Sequence, residues 1–231
     1  MDTYTLNWTD HLQTLSERGF ALLPPLLSAD ECRKLAFLFD LHEHFRKTIV
    51  MQKHGFGRGK YNYFNYPLPP TIDALRHELY RQLAPVANDW NGKLGITQRY
   101  PNTLDEWLAI CHEAGQNRPT PLMLQYGTGD WNALHQDMYG ELYFPFQAVL
   151  MLSEPGPEFL GGEFVLMEQR PRMQSRAIVL QPSQGQVVLF TTKFRPEKGT
   201  RGYYRIGLRH GVSEVKSGQR MTLGLIFHDA R

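Results

Sequence analysis

Two kinds of hydrophobic pattern divide the chain near residue 120. Before that point apolar positions recur at helical spacing; after it they come as short runs separated by turn residues. Leu6, Leu12 and Leu15 lie on or near one side of a helix predicted over residues 4–18, which Gly19 ends. Gly19 to Leu23 reads as a short strand, stopped by Pro24 and Pro25. Ser28, with Glu31 three residues later, is a capping box. Cys32, Leu35, Ala36, Leu38 and Phe39 form the apolar stripe of the helix it opens, which the pattern carries on toward Phe45. Leu75, Leu79, Leu83 and Val86 predict a helix over 71–92, with Pro85 as a kink. Thr103 and Glu106 open another, running to about Ala114.

From Pro121 onward the runs predict strands at 121–127, 142–152, 163–168, 176–181, 186–192, 203–212 and 220–228. Gly127-Thr128-Gly129-Asp130, Glu154-Pro155-Gly156-Pro157, Gly161-Gly162, Pro182-Ser183-Gln184-Gly185 and Ser217-Gly218 supply the turns. Regularly spaced short strands suggest a sandwich or barrel. Residues 51–70 stand apart: Gly55, Gly57 and Gly59 argue for a flexible loop carrying Tyr61, Tyr63, Phe64 and Tyr66 with Lys53, Arg58 and Lys60. The reading is a mainly helical part over 1–120, containing that loop, and a β-rich catalytic core over 121–231, together one functional unit.

Candidate chemistry sits in the second part. His135 and Asp137 are two apart, so an extended strand points both to one face. With His210 as a third ligand, two imidazoles and one carboxylate leave the opposite side of a metal open, which suits a non-haem Fe(II) centre. Ten residues after His210 comes Arg220, able to grip a distal carboxylate with two prongs. Arg220, Thr222 and Gly224 share one strand face; Met221, Leu223, Leu225 and Phe227 take the other. The first face therefore suits a cosubstrate pocket, the second an apolar core. Gln147, polar within an apolar strand, either faces the active site or satisfies backbone, and Tyr143 has the same parity. His228 is a rival to His210, and His54 sits in the glycine loop.

His135-Gln136-Asp137, His210 and Arg220 resemble the signature of the Fe(II)- and 2-oxoglutarate-dependent dioxygenases. More closely, the chain resembles a bacterial family described as oxygenases that oxidatively demethylate damaged DNA. The matching text includes Tyr61 to Pro69 (YNYFNYPLP), Arg118 to Tyr126 (RPTPLMLQY), His135 to Gly140 (HQDMYG), Gly161 to Arg176, Tyr204 to Val212 (YRIGLRHGV) and Thr222 to Ala230. The resemblance implies an α+β fold with a double-stranded β-helix (jelly-roll, cupin-like) core and N-terminal helices packed against it. It implies iron on His135, Asp137 and His210. It also implies 2-oxoglutarate on Arg220, with Tyr126 donating a hydrogen bond and Thr222 beside it, and dioxygen as the oxidant. Substrate-pocket candidates are Gln147, Tyr143, Tyr63 and Arg209.

Composition changes this little. A chain of 231 residues with 42% hydrophobic residues can bury a sizeable core. A net charge of +2 is too mild to imply a nucleic-acid partner by itself. Arg201, Tyr203, Tyr204, Arg205 and Arg209 mix charge and rings as a nucleic-acid surface would, and equally as a solvated strand face would. Cys32 and Cys111 have no metal spacing and suggest a reducing, cytoplasmic setting. No signal peptide, membrane span or obligate protein partner is expected. The substrate implied by resemblance is alkylated bases in single-stranded or damaged DNA. Hydroxylation of a small molecule or protein side chain stays open beside it, as does a non-catalytic 2-oxoglutarate sensor.

Overall fold

The computed structural model describes residues 6–231, so the start of the first predicted helix, at residues 4 and 5, lies outside the described residues. Helix α1 (Trp8–Arg18) ends at Gly19, whose φ of 78° lets its N–H bond Leu15 O. Ser28 and Glu31 cap α2 (Ala29–Phe37) reciprocally. Instead of continuing to Phe45, the chain passes through two short 3-10 turns into β2 (Phe45–Val50). The β-branched run Thr48-Ile49-Val50 favours the strand. Helix α3 (Pro70–Lys93) starts with Pro at its first position and carries Pro85 inside. Thr103 and Glu106 form the predicted capping box of α4 (Leu104–Glu113).

Two antiparallel sheets make the double-stranded β-helix. The larger runs β1 (Phe20–Leu23), β11 (Val187–Thr191), β7 (Phe146–Met151), β15 (Arg220–Ile226), β5 (Leu122–Tyr126), β4 (Lys60–Phe64), β2. The smaller runs β10 (Arg176–Leu180), β9 (Phe164–Gln169), β13 (Gly202–Val212), β6 (Trp131–His135), β3 (Gly57–Arg58), with β12 (Phe194–Gly199) hairpinned onto β13. A ribbon of β8 (Phe159–Gly161) and β14 (Val215–Gly218) closes one end.

Side-chain alternation on β15 decides what lies where. Met221, Leu223, Leu225 and Phe227 join Leu75, Leu79 and Leu83 of α3 in the main core, outside the larger sheet. Arg220, Thr222 and Gly224 turn the other way, into a cavity between the sheets. The same alternation sends Leu122, Leu124 and Tyr126 of β5 inward and Met123 outward.

The structure corrects the expectation for residues 51–70. This segment holds β3 and β4, and β4 pairs with both β2 and β5. Alternating aromatic residues suit a pleated surface better than a loose loop. Gly57 and Gly59, at φ 126° and 118°, let the chain cross from the smaller sheet to the larger. A Cβ on Gly57 would stand 2.3 Å from Trp131 O. Three strands from the first 120 residues, β1, β2 and β4, thus belong to the larger sheet. The strand expected from residue 142 begins only at Phe146, because Pro145 cannot donate to the ladder. Strands β12 and β14 lie in polar stretches that carry no apolar alternation. Among the described residues no helix is long and apolar enough to cross a membrane.

Candidate active site

His135 and His210 are direct cross-strand partners of β6 and β13, and their ring centres stand 4.2 Å apart. Asp137 lies just beyond the end of β6. Its Oδ1 is 3.4 Å from His135 Nε2 and its Oδ2 is 3.3 Å from His210 Nε2. One ligand atom from each residue falls within 4.8 Å of the others. Gln136, between the pair, anchors this turn: its Nε2 donates to Lys193 O at 2.9 Å and Leu208 O at 2.7 Å. His135 Nδ1 donates to Ala133 O at 2.7 Å. A carbonyl can only accept, so Nδ1 carries the hydrogen and Nε2 is the ligand nitrogen.

Burial alone would raise the pKa of Asp137, but hydrogen bonds from His135 and His210 and their charge hold it well below the usual carboxylate range. Burial and its neighbour His135 lower His210, while for His135 the bonds to Asp137 and Ala133 outweigh burial and raise it. Tyr139 donates from its hydroxyl to Asp137 Oδ1 at 2.8 Å.

Arg220 is 1% exposed, and none of its Nε, Nη1 and Nη2 has a hydrogen-bond partner among the described residues. Burial brings its pKa down to about 10. Its guanidinium carbon lies 5.5 Å from the ring centre of Tyr126, its register partner on β5. Burial pushes the Tyr126 hydroxyl up to about 12, and that oxygen accepts from Asn132 Nδ2 at 3.1 Å. Arg220 and the triad face one cavity of about 370 Å³, also lined by Thr222, Asn132 and Gln147. Its remaining walls are mostly apolar, among them Leu124, Val149, Phe164, Phe190 and Val212. Phe56 and Leu134, 47% and 39% exposed, stand at its lining edge.

Of the sequence-predicted residues, the cavity gathers His135, Asp137, His210, Arg220, Tyr126, Thr222 and Gln147. Tyr63, Tyr143 and Arg209 are not on its wall. Tyr63 is buried beside Ile49, Leu122 and Ile226, beneath the Arg46 guanidinium at 4.6 Å. Tyr143 precedes Pro145, so it does not share the strand parity of Gln147; its carbonyl accepts from Tyr100 Oη. Arg209 alternates with His210 and is exposed. His228 is buried elsewhere, its Nδ1 accepting from Phe144 N at 3.1 Å. His54 stacks on Phe56 at 5.4 Å. Tyr139, Asn132, Tyr61 and Gly162 went unread as site residues. Only Tyr139, two residues past Asp137, offered a positional signal.

Solved structures share this architecture. A prolyl-4-hydroxylase from Pseudomonas putida, 15% identical, matches with a TM-score of 0.55 over 97% of this chain and 99% of its own. A 2OG-Fe(II) oxygenase family oxidoreductase from Burkholderia pseudomallei, 17% identical, matches at 0.54 over 98% and 93%. At that identity the likeness establishes the double-stranded β-helix. By sequence, the chain belongs to the family described as "Oxygenase, catalysing oxidative methylation of damaged DNA", whose sequence model matches residues 59–230. Two Mycobacterium tuberculosis proteins, from strains H37Rv and CDC 1551 and both named only as uncharacterized, are 53% identical over 167 residues, 72% of each chain.

Proposed function

We propose that the protein uses Fe(II), 2-oxoglutarate and dioxygen to remove N-methyl groups from nucleobases in single-stranded or damaged DNA. The observation that carries the cofactor reading is Arg220. Three buried donors without a partner are costly to keep, and a carboxylate is the acceptor that matches their fork. The triad fits iron: two neutral imidazoles and one carboxylate are the donor set of non-haem Fe(II) sites. Iron bound there with 2-oxoglutarate supplies the oxidation of a C–H bond.

The chain's own residues position and protect that chemistry. His135, Asp137 and His210 hold the ion on one side, leaving the cavity side free. Tyr139 engages Oδ1 of Asp137, which leaves Oδ2 for the ion. Arg220 takes the far carboxylate of 2-oxoglutarate, with Tyr126 and Thr222 beside it. Leu124, Val149, Phe164 and Phe190 exclude water from the reacting centre. Each turnover converts one N-methyl group, one dioxygen and one 2-oxoglutarate into N–H, formaldehyde, succinate and carbon dioxide.

Two features support a base as the substrate: the family's description and the flat, apolar edge made by Phe56, stacked on His54, with Leu134. An unstacked base has a face for such rings. The test measures formaldehyde and succinate from methylated single-stranded oligonucleotides, free nucleosides and proline-containing peptides. Stoichiometric formaldehyde with the oligonucleotides alone is the expected result. Hydroxylated peptide without formaldehyde would replace this substrate with a protein side chain.

A further inference from the structure

The cavity lining holds a further orphaned donor besides Arg220. Gln147 is 4% exposed, lines the cavity, and its Nε2 has no hydrogen-bond partner among the described residues. Its register partners are Ile226 on β15 and Phe190 on β11. Phe190 packs on the His210 ring, centre to centre 4.7 Å, which sets Gln147 at the level of the metal ligands. Arg220 is six residues from Ile226 along β15, about 20 Å of extended strand. Gln147 therefore stands at the metal-ligand end of the cavity, where the reacting part of the substrate must also lie. A buried amide left without a partner costs about 1–3 kcal/mol, so its retention here calls for another acceptor.

We propose that Gln147 is a specificity-determining residue that donates from Nε2 to the carbonyl at ring position 4 of a methylated pyrimidine, selecting a carbonyl over an amino group there. The proposal rests on the nucleobase reading of the site. Phe190 and Val149, the apolar neighbours of Gln147 on the wall, offer no competing polar group. The amide therefore reads the edge of the base, while the apolar wall accepts its face.

The experiment uses the full chain loaded with Mn(II) and N-oxalylglycine, an inert analogue of 2-oxoglutarate. The probes are short single-stranded oligonucleotides bearing one 3-methylthymine or one 3-methylcytosine, which differ at ring position 4 as carbonyl against amino. The wild-type protein is expected to bind the 3-methylthymine strand about tenfold more tightly. Gln147→Leu removes the preference, and Gln147→Glu, an acceptor of the same shape, reverses it. Both variants retain 2-oxoglutarate affinity on the Mn(II) protein, a readout that also shows the site is folded. A fall in that affinity matching the loss of oligonucleotide binding overturns the proposal and gives Gln147 to the cosubstrate. Unchanged oligonucleotide selectivity in both variants, or a wild-type preference for 3-methylcytosine, overturns the proposal and leaves the nucleobase reading standing. No binding of either strand by the wild-type protein overturns both.

Discussion

Arg220 and Tyr126 face each other across β15 and β5, the guanidinium 5.5 Å from the ring centre, with no acceptor among the described residues for any of its three nitrogens. The ring's negative face offsets part of the charge, but a cation–π contact cannot replace hydrogen bonds to a buried guanidinium. The fold therefore bears a cost at this residue that a ligand relieves. Two effects of Arg220→Met follow, with opposite signs. The metal-free, ligand-free protein becomes more stable, by about 1–3 kcal/mol, because a buried unpaired charge is removed. Binding of 2-oxoglutarate to the Mn(II)-loaded protein weakens about 100-fold, the loss of a charge-assisted two-pronged contact. Thermal unfolding and calorimetric titration read the two separately. A less stable apoprotein with unchanged 2-oxoglutarate affinity would assign Arg220 a purely structural part.

Gly162 sets where that guanidinium can lie. A Cβ there would come within 2.8 Å of Arg220 Cδ and 2.9 Å of Val215 Cγ2, at a φ of 61° that favours glycine. Gly162→Ala is expected to lower stability by about 1–2 kcal/mol through backbone strain. It also displaces the arginine stem and weakens 2-oxoglutarate binding about tenfold, less than loss of the side chain does. Gly162→Ser, which places the same Cβ, should show a loss of similar size in the same titration. Wild-type affinity in both variants would show that Val215, not Arg220, gives way.

Much of this was legible in the chain because β15 alternates strictly. Met221, Leu223, Leu225 and Phe227 against Arg220, Thr222 and Gly224 fixes one face for the helices and one for the cavity, and the structure keeps that division. The capping boxes at Ser28 and Thr103 were equally local and equally visible. Strands β2 and β4 were harder to read because their burial is set by partners distant in sequence, β5 above all. Tyr143 misled for a covalent reason: Pro145 ends the parity that would have aligned it with Gln147. The unpaired state of Arg220 and Gln147 had no sequence signature, since it depends on what surrounds them in three dimensions.

Tyr139 tests how the metal ligand is held. Its hydroxyl meets Asp137 Oδ1 at 2.8 Å, and its ring packs edge-on to Tyr63 at 6.2 Å. Outer partners of metal ligands commonly govern affinity by about 10–100-fold. Tyr139→Phe keeps the ring and removes the bond to Asp137 together with the one its hydroxyl shares with Tyr63, so Mn(II) affinity should fall within that range while 2-oxoglutarate affinity at saturating metal changes little. Wild-type Mn(II) affinity in the variant would mean the carboxylate is oriented by the two histidines alone.

His228, packed 6.3 Å from the Tyr139 ring behind the metal ligands, gives the fold an acid-sensitive point. Phe144 N donates to its Nδ1 at 3.1 Å, so this nitrogen must stay unprotonated, and Nε2 is buried without a partner among the described residues. Burial and the nearby Arg76 charge bring its pKa down to about 3, against an ordinary histidine value of 6.5. The sign follows from where protons bind. Above about pH 6.5 neither the folded nor the unfolded chain protonates this ring, and it contributes nothing to the pH dependence. Below that, the unfolded chain takes up a proton that the folded one refuses, so stability falls as pH falls, until about pH 3. The slope attributable to the ring is at most about 1.4 kcal/mol per pH unit. Urea unfolding between about pH 7 and pH 5 isolates it from most carboxylates, which titrate lower. His228→Asn retains an acceptor for Phe144 N but no titrating ring, and its stability should vary less across that window. A slope as steep in His228→Asn as in the wild type would place the acid sensitivity in another group.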